Sequence, residues 1–455
     1  MRYLTLCTDY DGTLATEGTV FPETAAAVER LIASGRKPIL VTGRELDELK
    51  TVCPYLHLFE SVVAENGALL YDPKTDTETP LADRPPDAFV AALRARGVER
   101  ISVGRVIIAT WEPWESVVLE TIKEQGLELQ VIFNKGAVMI LPAGVNKASG
   151  LLAALKKVGL SAHNAVGIGD AENDHALLAL CECGVATANA LPTLKQAADF
   201  VTTGERGAGV VELINGMLKD DLASRESELT RRRILLGVDT SGQEVRIHPY
   251  GENILLVGET GSGKSESAAA LLESLSESKY SFCVVDSDGG YETINGAVSL
   301  GSRDRPPSVE EIIKLFRSPD RSGIINLAGL PEGERKAFIT SLLPQFRELL
   351  SRTGRPHWLV IDSEKAPPEG GAVAASLLQI ASRPQQLTAA ALGEVNLLLA
   401  AGHSPERSLQ EFCQKVDIPS PQVDPMSLKK GELLAWRPQT HGAAPFRLRI
   451  KPRAR

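Results

Sequence analysis

Asp9-Tyr10-Asp11-Gly12-Thr13 follows a short apolar run at residues 3–7 and sets two carboxylates two residues apart at the end of a predicted strand. Side chains alternate along a strand, so Asp9 and Asp11 fall on one side of the chain, and Gly12 lets the backbone turn sharply away. Much later, Gly169-Asp170-Ala171-Glu172-Asn173-Asp174 follows a second apolar run at 165–168. Carboxylates gathered in this way repel one another unless a cation lies among them, and oxygen ligands suit Mg²⁺. Together the two clusters outline a site for phosphoryl transfer.

Around these clusters the first half alternates strand-like and helix-like segments, as a sheet with crossover helices requires. Helical spacing covers 23–34, and buried strands are expected at 38–41, ending in Thr42-Gly43-Arg44, and at 62–64, ending in Glu65-Asn66-Gly67. A smaller α/β unit is expected over about 72–142, with helices at 88–96 and 116–125 and strands at 106–109, 130–133 and 137–140. The parent rhythm resumes with a helix after Asn146-Lys147. A charged stretch, 219–233, reads as a solvated linker helix. Beyond it, strand candidates lie at 234–248, 253–257, 280–285 and 357–361.

The 455 residues suggest more than one domain, and 43% hydrophobic with 24% charged residues is an ordinary globular composition. No apolar run is long enough to span a bilayer and the N-terminus lacks a signal-peptide core, so no membrane partner and a cytoplasmic location are expected. Six scattered cysteines do not form a disulfide framework, and the Cys181-x-Cys183 pair has no partners for zinc. Residues 1–225 carry 21 Lys and Arg against 30 Asp and Glu, whereas 226–455 carry 28 of each. Neither half has the basic excess of a dedicated nucleic-acid binder.

Displacement at phosphorus needs a nucleophile, a proton donor for the leaving oxygen and positive charge on the phosphoryl oxygens. Asp9 can be the nucleophile, and Asp11 the acid that later activates water. The Thr42 hydroxyl can hold phosphate, and Lys147 can neutralise charge. Asp170 and Asp174 complete a Mg²⁺ shell with Asp9 and the carbonyl of Asp11.

These residues resemble the motifs of the haloacid dehalogenase superfamily, in its Cof-like branch: Asp9 to Thr13 the first, Thr42-Gly43-Arg44 the second, Lys147 the third, and Gly169 to Asp174 the fourth. The resemblance covers residues 1 to about 215. It implies a Rossmann-like core, Mg²⁺, and hydrolysis of a small phosphate ester such as a sugar phosphate through an aspartyl-phosphate. It also implies substrate contacts at Gly43, Arg44, Asn66 and Asn173, under an α/β cap that selects the substrate. Arg105, Trp111, Trp114, Asn134 and Lys135 are the cap residues available for that task, with at least one tryptophan expected to pack instead.

In the second half, Gly258-Glu259-Thr260-Gly261-Ser262-Gly263-Lys264-Ser265 stands between an apolar strand and an Ala- and Leu-rich helix, the context a phosphate-binding loop requires. Its glycines free backbone N–H groups to wrap phosphates, Lys264 reaches the β- and γ-phosphates, and Ser265 ligates Mg²⁺. Thr260, Gly261 and Ser262 belong to the same cradle. Asp362 ends the strand expected to carry the second Mg²⁺-associated acid. With Val284 to Tyr291, this set resembles HerA-type and conjugative-translocase ATPases, and implies ATP binding and assembly of identical chains. In such ATPases a glutamate commonly follows directly; here Ser363 stands there and Glu364 comes one residue later, so nucleotide binding is the firmer expectation than rapid hydrolysis.

The expected architecture is therefore α/β throughout: a capped Rossmann-like phosphatase at 1–218, a linker at 219–233 and a P-loop domain at 234–455. The expected activity is Mg²⁺-dependent hydrolysis of a small phosphorylated compound beside an ATP-binding domain. The alternative is an ATP-driven nucleic-acid translocase with an accessory phosphatase, less favoured because the second half carries no net charge.

Overall fold

Thr5–Thr8 is a strand with all four side chains buried, as befits a central parallel strand covered on both faces. The computed structural model describes residues 1–291, 294–319, 321–362, 376–440 and 443–451. It divides into two units, Met1–Arg231 and Arg232–Arg455.

The large sheet of the first unit runs Phe200–Val201, Cys183–Ala186, Ala165–Gly169, Thr5–Thr8, Lys37–Val41, Ser61–Ala64, Leu69–Asp72, Thr77–Pro80. Its strands are parallel up to Ser61–Ala64, and a hairpin of the last two adds on antiparallel. Alternation along each strand feeds two apolar layers. Leu6 and Leu40 enter one, with Val28 and Leu31 of helix Pro22–Ala33; Cys7, Ile39 and Val41 enter the other, with Leu151 and Leu155 of helix Lys147–Val158. Thr5–Thr8 is parallel to Ala165–Gly169 on one side and to Lys37–Val41 on the other, and strand order switches sides there, so Asp9, Thr42 and Asp170 all emerge at the carboxyl edge of neighbouring strands.

A second sheet, Ser102–Val103, Ile108–Trp111, Ala137–Pro142, Leu129–Asn134, forms the cap. Helices Asp87–Ala95 and Glu115–Glu124 pack Phe89, Leu93 and Val118 against its Ile108, Val138 and Ile140. Residues 72–80, expected in the smaller unit, instead extend the large sheet, because the Leu69–Asp72 strand pairs with Ser61–Ala64 before the chain leaves for the cap.

The 219–233 stretch is not a solvated helix. Helix Arg206–Asp220 stops at Asp221, whose φ is +57°, and Leu222 and Leu229 are buried in the first unit's core. Asp221 accepts from Arg36 at 2.8 Å, and Arg231 donates to Asp199 and to the carbonyls of Leu178 and Cys181. The two leucines within the charged run gain more from burial than the flanking charges gain from water.

The same face carries a buried ionic group. Glu182 accepts from His163 at 2.7 Å and from Arg2 at 2.9 Å. Burial alone would push its carboxyl up, but the hydrogen bond and charge of His163, with Arg2, bring it down to about 2. A carboxyl depressed in the folded state contributes stability above its unfolded value near 4.5, and that contribution is lost as pH falls toward 2. Thermal unfolding of Glu182→Gln should therefore be less pH-dependent between 4.5 and 2 than wild type, and a parallel pair of Tm–pH curves would refute this account.

In the second unit the sheet runs Glu244–Ile247, Ile234–Asp239, Phe446–Ile450, Glu432–Trp436, Leu397–Ala400, Asn253–Val257, Ser376–Ala381, Trp358–Asp362, Phe282–Asp286, Ser322–Asn326, Ala297–Leu300. Asn253–Val257 is parallel to both neighbours and delivers the phosphate loop to helix Lys264–Glu277. All six cysteines are buried thiols. Among the described residues, no helix is long and apolar enough to cross a membrane.

Candidate active site

Asp9 stands one residue beyond its strand and is almost wholly buried. Its Oδ1 accepts from Lys147 Nζ at 2.6 Å, and Lys147, itself 1% exposed, also donates to Asp174 Oδ1 at 2.6 Å. Helix Lys147–Val158 delivers this lysine at its first position, behind a capping box in which Asn146 accepts from the Ala148 and Ser149 N–H groups. Burial alone would lower the Lys147 ammonium, but Asp174 and Asp9 outweigh it and keep the charge in place.

The close seat of that helix depends on glycine. A Cβ on Gly150 would lie 2.5 Å from Val63 Cγ1 and 2.6–2.7 Å from the backbone of Gly67. Gly150→Ala should force the helix outward, costing about 1–3 kcal/mol of stability. It should also lower kcat, because Lys147 rides on the preceding turn; unchanged Tm and turnover would show that the contact yields freely.

Asp170 and Asp174 flank the same point from the end of Ala165–Gly169. Asp174 Oδ2 accepts the N–H groups of Asp170 (2.9 Å) and Ala171 (3.0 Å) and so shapes the turn, while its Oδ1 is taken by Lys147. Single oxygens of Asp9, Asp170 and Asp174 all lie within 4.8 Å of one another. Asp9 is raised by burial and by its neighbours Asp174 and Asp170, against the pull of Lys147. Burial raises Asp170 too, against Lys135. A dry all-oxygen cluster short of positive charge is the donor set a hard divalent cation prefers.

Cap and core meet over this cluster. The tip of the Leu129–Asn134 and Ala137–Pro142 hairpin sends Lys135 Nζ to the Asp11 carbonyl (2.6 Å) and to Asp170 Oδ2 (2.9 Å). Asn134 Nδ2 lies 3.7 Å from where a Cβ on Gly43 would stand, with Asn173 Nδ2 at 3.4 Å. Asn173 donates to Asn66 Oδ1 at 3.0 Å. Asn66 Nδ2, Asn134 Oδ1 and Asn173 Oδ1 are buried with no protein partner, so three polar atoms around Gly43 remain available to a ligand.

The structure thus brings Asp9, Asp11, Thr42, Gly43, Asn66, Lys147, Asp170, Asn173 and Asp174 to one edge of the sheet. Arg44 is placed differently from the expectation of a substrate contact: it grips both oxygens of Asp11, at 2.6 and 2.7 Å. Of the cap candidates, Arg105 is engaged by Asp47 and Glu78, Trp114 packs in the cap core, and Trp111 is half exposed.

Two residues outside the sequence-based set hold the site together. Glu65, fully buried, accepts the N–H groups of Arg105, Val106 and Ile107 at 2.7–2.9 Å and so clamps the cap's connecting loop to the core. Asn189 donates to the Gly12 carbonyl at 2.8 Å and accepts from the Arg206 N–H at 2.7 Å.

In the second unit, the phosphate loop uses left-handed backbone at Gly261 (φ +84°) and Gly263 (φ +93°), where a side chain would be strained. Lys264 Nζ donates to the carbonyls of Gly258 (2.6 Å) and Glu259 (3.0 Å). Asp362 accepts from the Tyr291 hydroxyl at 2.8 Å; burial, with Asp286 and Asp288, raises it to about 6 against that hydrogen bond. Asp286 is consumed by the N–H groups of Asp288, Gly289 and Tyr291. Ser363 and Glu364 lie outside the described residues.

The haloacid dehalogenase-like hydrolase family model matches residues 6–104 and 101–214, and the model for the central domain of helicase HerA matches 236–308. Phosphoglycolate phosphatase 2 of Saccharolobus solfataricus is 30% identical over 223 residues, 47% of this chain and 91% of that protein. The phosphoglycolate phosphatase of Methanosarcina acetivorans is 29% identical over 220 residues, 47% of this chain and 96% of that one. A solved haloacid dehalogenase-like hydrolase from Bacteroides thetaiotaomicron aligns with a TM-score of 0.42 at 18% identity, over 47% of this chain and 99% of its own. The chain belongs to the haloacid dehalogenase-like hydrolases and is a phosphoric monoester hydrolase.

Proposed function

We propose that the first unit hydrolyses a small phosphate ester through an aspartyl-phosphate on Asp9, and that the second unit binds ATP. The observation that carries the first reading is the convergence of Asp9, Lys147, Asp170 and Asp174 under a cap whose tip reaches the same point. An Asp9 oxygen attacks phosphorus as the ester P–O bond breaks, and the Asp11 carboxyl gives its proton to the leaving oxygen. Asp11 then takes a proton from water, which attacks the phosphorus and returns Asp9 and inorganic phosphate. For either step Asp11 must exchange its Arg44 partner for the reacting oxygen, so Arg44 holds the acid between turnovers.

Thr42 and Lys147 contribute a hydroxyl and a fixed positive charge to the phosphoryl oxygens. Asp9, the Asp11 carbonyl and Asp170 are the groups that would hold Mg²⁺, with Asp174 orienting the turn from behind. Bound there, the ion would spread the charge of the transferring phosphoryl group. The relatives named as phosphoglycolate phosphatases make a short phosphorylated hydroxy acid the first substrate to try, ahead of a sugar phosphate.

The HerA match over 236–308 favours a second reading for the other unit, an ATP-driven motor on nucleic acid, with assembly of identical chains. One experiment separates the readings. Phosphate release is measured from phosphoglycolate, sugar phosphates, ATP and 5′- or 3′-phosphorylated oligonucleotides, with and without Mg²⁺. Release from a small ester that needs Mg²⁺ and survives Lys264→Ala supports the proposal; release from ATP alone, abolished by Lys264→Ala, makes the second unit the working enzyme.

A further inference from the structure

The phosphate loop accounts for the phosphates of a nucleotide and leaves its nucleoside without a place. The order of the sheet gives the direction. Asn253–Val257, which feeds the loop, has Ser376–Ala381 and then Trp358–Asp362 on one side, and Leu397–Ala400, Glu432–Trp436, Phe446–Ile450 and Ile234–Asp239 on the other. In a P-loop site the terminal phosphate would lie toward the acid of the second motif, here Asp362. The nucleoside must therefore leave the loop toward the opposite side, where the last strands lie.

A cavity of about 670 Å³ opens there, beside the first turns of helix Lys264–Glu277. Its size lies within the range of small-molecule sites. Leu235, Ala270 and Ile450 supply apolar wall, and Lys430 and Arg449 supply positive charge among a lining that also holds Glu266 and Glu432. Lys430 borders the loop itself: a Cβ on Gly263 would meet its side chain at 3.5 Å. Ser267, 3% exposed, also lines the cavity, and its hydroxyl is buried without a hydrogen-bond partner. A buried hydroxyl left unpaired in a helix costs stability, so one facing a cavity next to a phosphate loop points to a ligand group that completes it.

We propose that this cavity is the nucleoside subsite of the P-loop unit, an inference that rests on the ATP-binding reading. The base lies against Leu235, Ala270 and Ile450, the Ser267 hydroxyl bonds the base or ribose, and Lys430 and Arg449 flank the α-phosphate. Base and ribose thus contribute affinity that the phosphate loop does not.

Calorimetric titration of the full chain with ATP and with inorganic tripolyphosphate, both with Mg²⁺, tests it. Wild type should bind ATP at least ~10-fold more tightly than tripolyphosphate. Ser267→Ala, which keeps a good helix former, should weaken ATP by ~5-fold, the scale of one hydrogen bond. Ser267→Leu, which fills the cavity, should weaken ATP by ~10-fold or more, and neither variant should move tripolyphosphate more than ~2-fold. Equal wild-type affinity for the two ligands, unchanged ATP affinity in both variants, or equal losses for both ligands would overturn the subsite and leave the phosphate loop standing. Wild type that binds neither ligand would overturn the ATP-binding reading and the subsite with it.

Discussion

Asp9→Asn should lower phosphate release by ~10⁴-fold or more, on the scale seen when a covalent nucleophile is removed, yet the variant should be at least as stable as wild type. The carboxylate is almost fully buried and faces Asp170 and Asp174, and burial first, then those two charges, raises it against Lys147. A carboxyl raised in the folded state loses its stabilising contribution as pH climbs above its unfolded value and through the folded one. The amide cannot ionise, and its oxygen can still accept from Lys147. In EDTA, then, the Tm of Asp9→Asn should gain on wild type between pH 5 and pH 8. Function would be holding an unfavourable charge that the fold alone would discard. A variant that is inactive because it unfolds at lower temperature at pH 8 would sink this explanation, and so would retained activity.

What was legible in the chain follows from where its polar groups stand. Asp9, Thr42, Asp170 and Asp362 each end an apolar strand, and a polar residue there is conspicuous against its neighbours. The glycine spacing of the phosphate loop is equally local, because φ above zero restricts the residue choice at Gly261 and Gly263. Contacts made across long sequence separations left no such mark. Glu65 is clamped by residues some forty positions away, and Arg44 turns back to Asp11, thirty-three residues upstream. Asn189 did carry a usable signal, a polar residue just beyond the strand Cys183–Ala186 at the same sheet edge. The 219–233 stretch misled because its charges dominate by number, whereas Leu222 and Leu229 decide its placement. Pairing of Leu69–Asp72 with the large sheet is likewise a property of a neighbouring strand, not of its own composition.

Lys147→Ala should be worse than Asp9→Asn for stability and no worse for turnover, and the comparison separates charge from chemistry. Lys147 is the buried cation hydrogen-bonded to both Asp9 and Asp174, at 2.6 Å to each. Removing one partner from a buried ionic group leaves the others uncompensated, which costs about 3–5 kcal/mol. Activity should fall by at least ~10³-fold, since the fixed charge on the phosphoryl oxygens goes as well. The double variant Lys147→Ala with Asp9→Asn relieves one stranded carboxylate and should recover part of the lost Tm without recovering turnover. Additive stability changes in the double variant would mean that the two side chains do not act as a pair, and the close contact between them would then have no energetic consequence. Recovery of Tm alone would place Lys147 in two roles at once: the cation that lets three carboxylates share a dry site, and the charge that receives the phosphoryl group there.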